Sequence, residues 1–149
     1  PPPPPSTSLT DLPPTRTADQ TKIERVIVCK QYVVETRRIQ HQTNVFSPTD
    51  ETVWVCVIFA SVAKPFRLRA KFFKPDSYKY YEQVTAWNYA VYSSQLVIEA
   101  PFMRILGSPA ETIFGDWTVT LEIQEENADF RPLIVPETQL NRVYFSIRN

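Results

Sequence analysis

Prolines recur at positions 48, 65, 75, 101, 109, 132 and 136, and the runs between them alternate in polarity. A proline donates nothing to a β-ladder and breaks a helix interior, so each one marks where a regular element must end. The clearest run is Trp117-Thr118-Val119-Thr120-Leu121-Glu122-Ile123, with its apolar residues on one parity and Thr, Thr and Glu on the other. Phe66 to Phe72 alternates in the same way, with Arg67, Arg69 and Lys71 outward. Val143, Phe145 and Ile147 form one apolar face near the C-terminus, and Leu96, Ile98 and Ala100 suggest another strand. Residues 23–34 and 53–62 are β-branched runs without a 3.6-residue stripe. No segment beyond ten residues carries a convincing amphipathic helix, so the chain reads as all-β.

Seven or eight short strands in one chain of 149 residues fit a two-sheet antiparallel sandwich. The sheets are expected to meet through Ile23 and Ile27, the 53–59 run, Leu68 and Phe72, Leu96 and Ile98, Trp117, Val119 and Leu121, and Phe145 and Ile147. The 53–59 strand is apolar on both parities, which requires cover on both faces. That second cover is either the aromatic segment that follows or another subunit.

Composition removes several functions. Only two glycines are present, Gly107 and Gly115, so neither a GxGxxG turn nor a P-loop can be written. Sixteen basic side chains balance sixteen acidic ones, which gives no general attraction to a nucleic acid. No run of 18 apolar residues exists to form a transmembrane helix.

Residues 1–20 differ from the rest. Pro1, Pro2, Pro3, Pro4 and Pro5 favour polyproline II, and the polar remainder cannot bury enough apolar area to fold alone. At about 3.1 Å per residue the segment reaches roughly 60 Å, either as a linker or as an arm that docks on a partner. A Pro/Ser/Thr-rich start is also what remains when an exported protein loses its signal, so an extracytoplasmic setting (periplasm, cell surface or secreted) is expected. The domain proper is then 21–149.

Several landmarks occur in a familiar order. Phe46-Ser47-Pro48-Thr49-Asp50-Glu51 leads into the strand from Val53, Phe73-Lys74-Pro75-Asp76 makes a corner, Gly115-Asp116-Trp117-Thr118-Val119 opens a long strand, and Phe145-Ser146-Ile147 closes the chain. In this order, over about residues 23–148, the sequence resembles the bacterial immunoglobulin-like sandwich of secreted and cell-envelope proteins. The resemblance implies a binding or assembly module and no catalytic residues. Two departures stand out: a long connection from Asn127 to Pro136, and the aromatic content of Tyr78 to Tyr92.

Side chains with chemical potential are few. Cys29 and Cys56 both fall in strands, and either form one disulfide, closing a loop of about 27 residues, or remain buried thiols. A zinc shell cannot be built from one His and two Cys without CxxC spacing, so no metal and no cofactor are expected. His41 lies in a polar stretch with no local nucleophile or orienting carboxylate. Glu122, Glu125, Glu126 and Asp129 offer oxygen ligands for calcium, or simply a charged turn. Arg67, Arg69 and Lys71 form a basic stripe, read either as a contact for an acidic partner or as the solvated face of a strand.

The most informative residues are Tyr78, Tyr80, Tyr81, Trp87, Tyr89 and Tyr92, which place tyrosine on both parities. Tyr and Trp combine large apolar area with a polar tip and are enriched at interfaces. The expected function is a noncatalytic protein-binding or structural module, acting through residues 1–5 and this aromatic surface on a protein partner or a second copy. A carbohydrate-binding module with a Tyr/Trp stacking platform is the alternative, and a hydrolase the weakest reading.

Overall fold

The computed structural model describes residues 21–90 and 96–149. They form β1 (Lys22–Val33), β2 (Arg38–Gln42), β3 (Val45–Phe46), β4 (Thr52–Ser61), β5 (Phe66–Phe73), β6 (Lys79–Val84), β7 (Val97–Glu99), β8 (Phe102–Arg104), β9 (Gly115–Glu125), β10 (Arg131–Pro132) and β11 (Arg142–Ile147). The first sheet runs β2-β1-β4-β7, with β8 also on β4; the second runs β3-β11-β9-β5-β6, with β10 also on β9. All pairs are antiparallel except β3 with β11. The expected two-sheet all-β sandwich is therefore what forms. Among the described residues no helix is long and apolar enough to cross a membrane.

The extra strands beyond seven or eight are short. β3 and β10 have two residues each, and β7 and β8 follow one line along β4. Pro101 interrupts that line, yet its carbonyl still accepts from the Val55 N–H at 2.9 Å.

The main core lies between the sheets. Val53, Val55, Val57 and Phe59 of β4 face Phe66, Leu68, Ala70 and Phe72 of β5 and Trp117, Val119, Leu121 and Ile123 of β9, all buried. Trp117 stacks on Phe145 at 5.7 Å, and its indole N–H donates to the Ile113 carbonyl at 3.1 Å. Each large side chain buried this way contributes about 1.5–3 kcal/mol.

A second cluster covers the outer face of the first sheet: Ile27, Cys29, Tyr32, Cys56 and Ile58, with Ile39, Trp54, Ile98 and Ala100 against it. This corrects two expectations. Ile27 and Ile98 point outward, and Val26 and Val97 reach the inter-sheet core in their place, while Leu96 is exposed. For β1 the cause is its irregular register against β4 between Lys22 and Arg25, which lets Ile23 face the core although Ile27 does not. The outer cover of β4 also comes from β1, β2 and β7, not from the 78–90 aromatics.

Gly115 opens β9 at φ 125, and a Cβ there would sit 3.0 Å from Pro75 Cγ. The glycine thus lets the β5–β6 turn close onto the start of β9.

Candidate functional site

The aromatic segment divides into two places and several roles. Tyr80 is a core anchor: its ring meets Trp117 edge-on at 5.3 Å, and its hydroxyl accepts from the Ala110 N–H at 3.2 Å. Tyr81 lies against Phe72 at 5.9 Å and remains 39% exposed. Tyr78, at 72% exposure, sits in the β5–β6 turn with the Lys74 ammonium 5.8 Å from its ring centroid. Phe114 is exposed beside Gly115 and so belongs to the same end, since Gly115 abuts Pro75. The opposite end of β5 holds Trp87 and the exposed Tyr89, because Asn88 bridges to Phe66. Tyr92 and Pro1 to Pro5 lie outside the described residues.

A cleft of about 230 Å³ opens between the edges of the two sheets, lined by Tyr80, Tyr81, Phe102, Met103, Arg104 and Ser108. Gln83 closes one side of this seam by accepting from the Phe102 N–H at 2.8 Å. The register irregularity between β5 and β6 lets Tyr80 and Tyr81 both reach the cleft, Tyr80 supporting it from within against Trp117 and Tyr81 forming its rim beside Phe72.

The basic stripe and Trp87 meet on the outer face of the second sheet. The Arg67 guanidinium is 4.8 Å from the Trp87 centroid and 5.5 Å from that of Phe130, and Arg69 lies 4.1 Å over Phe130. Arg67 Nε donates to Gln124 at 2.7 Å, and Arg69 Nε to Glu122 at 2.7 Å. Lys71 shares the same Glu122 carboxylate at 3.6 Å. The Arg69 hydrogen bond holds the Glu122 carboxyl below the ordinary glutamate range, against an opposing effect of burial. Cation–π stacking with Phe130 was not legible in sequence, because Phe130 follows the 125–129 turn and reaches β5 only after β9 and β10 pair.

The acidic residues do not converge. Glu122 serves β5, Glu125 pairs with Arg131 at 2.9 Å and accepts from the Thr21 hydroxyl at 2.8 Å, and Glu126 and Asp129 are exposed in the turn. Among the described residues no three His, Cys, Asp or Glu side chains gather as a metal-ligand set. His41 is an exposed residue of β2 with φ 57.

Cys29 and Cys56 are fully buried thiols on the outer face of the first sheet, with their Sγ atoms 3.7 Å apart. They are diagonal neighbours: Cys29 sits opposite Trp54, and Cys56 opposite Ile27. The hydrogen bond between them lowers Cys29 from the ordinary thiol value, while that bond and burial raise Cys56. Glu99 is raised by burial, partly offset by hydrogen bonds that include Asn88 Nδ2 at 2.6 Å.

No protein-family model matches the chain, and no curated protein sequence does. Among solved structures it is similar to an immunoglobulin-like protein from Pseudomonas aeruginosa, at 13% identity and TM-score 0.46 over 88% of this chain and 98% of that one. It is also similar to part of an alkylpurine DNA glycosylase from Pseudomonas fluorescens bound to DNA containing an abasic-site analogue. That likeness has 12% identity and TM-score 0.48, over 91% of this chain and 32% of the other. At these scores neither likeness carries an argument, and the two-sheet, mostly antiparallel sandwich rests on the strand pairing itself.

Proposed function

We propose that this chain is a noncatalytic protein-binding module of an extracytoplasmic assembly, contacting its partner through the aromatic end of the sandwich, with residues 1–20 as an additional arm. The observation that carries the reading is the exposure of Tyr78, Tyr81 and Phe114 around one end, beside the apolar cleft at Phe102 and Met103. Rigid aromatic side chains on a hairpin supply large contact area at small entropic cost. The carbohydrate reading has less support, because Arg67 occupies one face of Trp87 and Tyr80 is committed to the core.

The test is retention of a protein partner from the native envelope fraction by the immobilised chain, with light scattering to detect self-association. Tyr78→Ser with Tyr81→Ser is expected to abolish retention while leaving the melting temperature within a few degrees, and removal of residues 1–20 is expected to weaken it. A monomer that retains the same proteins with and without the tyrosines would overturn the proposal. A polysaccharide that quenches tryptophan fluorescence would favour the carbohydrate alternative.

The extracytoplasmic setting has its own check in Cys29 and Cys56. Under this reading they are joined in the native protein, so denaturation without reductant is expected to expose no alkylatable thiol. Two alkylated cysteines would remove that support for export.

A further inference from the structure

The outer face of the second sheet carries two consecutive rows across three strands. Thr120 of β9 lies between Lys71 of β5 and Arg142 of β11, its backbone partners on either side. Two residues back along β9, Thr118 lies between Phe73 and Tyr144. Same-face residues along a strand are about 6.7 Å apart, so a basic row and an aromatic row stand side by side at that spacing. A concavity of about 270 Å³ opens over part of each row, at Thr120 and Arg142 of the first and Phe73 and Thr118 of the second, with Lys74 and Asp116 on its wall.

The local acids are already engaged. Asp116 pairs with Arg148 at 2.9 Å, Asp76 with Lys74 at 3.4 Å, Glu82, opposite Lys71 on β6, with Lys79 at 2.9 Å, and Glu122 is shared by Arg69 and Lys71. Arg142 makes no ion pair among the described residues. The acidic turn at Glu125 to Asp129 lies at the far end of the same face, beside Phe66. Positive charge is thus in surplus at the Lys71–Arg142 row although the chain as a whole is neutral.

We infer that this concavity is a subsite for an extended acidic segment of the protein partner, holding a carboxylate over Thr120 and an aromatic or aliphatic side chain over Thr118. Carboxylate and ring are then two residues apart in the ligand, because an extended peptide repeats its side chains at the spacing of the strand beneath it. Arg142 supplies a planar fork for the carboxylate, Lys71 and Lys74 a compact positive charge, and the threonine hydroxyls further donors. Phe73 forms the floor for the second side chain, with Tyr144 next to Thr118 on the far side of the row. A nucleic acid fits less well: the basic row offers two or three cations, and phosphate binding gains its strength from many. The inference rests on the protein-binding reading and adds the chemistry of the ligand.

The probe is a fluorescein-labelled pentapeptide, serine-glutamate-serine-tyrosine-serine, titrated against the full chain by anisotropy and by amide shifts in 15N-labelled protein. Shifts are expected at residues 118–120 and 142–144, with binding at least tenfold weaker for the glutamine-for-glutamate peptide and for Arg142→Gln. Arg131→Gln, which removes an exposed arginine on β10, is expected to leave binding unchanged. Thermal melts confirm that each variant is folded. Equal losses in Arg142→Gln and Arg131→Gln, no shifts at Thr118 and Thr120, or tighter binding of inorganic phosphate or a thymidine pentanucleotide would each overturn the subsite. If the native partner is still retained in such a case, the protein-binding reading stands without it.

Discussion

The two sheets share one core and differ on their outer faces. Outside the first sheet lie Ile27, Cys56 and Ile58, almost without solvent contact. Outside the second lie Arg67, Arg69, Thr118, Thr120 and Glu122, arranged as ion pairs, cation–π stacks and open hydroxyls. β4 is buried on both parities and β5 on one. The first sheet therefore spends its outer surface on stability, and the second leaves its own free for recognition. This division is why most of the candidate contacts belong to the second sheet, the first sheet adding only its β8 edge at Phe102 and Met103.

The sharpest test of the shared core is Trp117→Ala, expected to cost about 3–5 kcal/mol in urea denaturation. Trp117 is fully buried between Tyr80 and Phe145, so a smaller loss would mean that the sheets pack in a different register. Next comes the contrast itself. Ile58→Ala, outside the first sheet, is expected to cost about 2–5 kcal/mol, and Thr120→Ala, outside the second, within about 0.5 kcal/mol. Similar costs at both positions would erase the distinction.

Two carboxylates separate the sheets by pH. Burial raises Glu99 of β7, so its neutral form favours the folded state; that stabilisation is complete below the ordinary glutamate range and is lost as pH rises through the raised value. The Arg69 bond lowers Glu122 of β9, so its stabilisation is present above the ordinary range and is lost as pH falls through the lowered value. Glu99→Gln is expected to raise the melting temperature at pH 7 and to match the wild type in acid. Glu122→Gln is expected to lower it at pH 7, with the difference narrowing as pH falls below the ordinary glutamate range. Melts at a series of pH values check both signs. The smallest effect is expected from Arg148→Ala, whose partner Asp116 is largely exposed; denaturation should change by less than about 0.5 kcal/mol.

Much of this architecture was readable from residue order. Strands at 66–72 and 117–123 appear where their alternation placed them, within two residues at either end. β4 is covered on both faces, as its apolar run on both parities required. The core side of β1 was not readable, because the register shifts near Ile23 exchange its faces without leaving a mark in the sequence. The site was legible only in part. Tyr78 and Tyr81 were visible as an aromatic excess, but nothing local distinguished them from Tyr80, whose neighbour Trp117 is distant in the chain. Phe130, Arg142 and Tyr144 stood outside every motif.

Sequence alone determined what each segment is able to do: periodicity set the strands, proline ended them, and the scarcity of glycine removed phosphate loops. The tertiary structure decided which segments meet. Local alternation is a property of one strand, whereas the row Lys71–Thr120–Arg142 exists only when three strands pair in one register. That register is set by the burial of Trp117, Phe72 and Val143 on the opposite face, so the recognition surface is fixed from behind by the core.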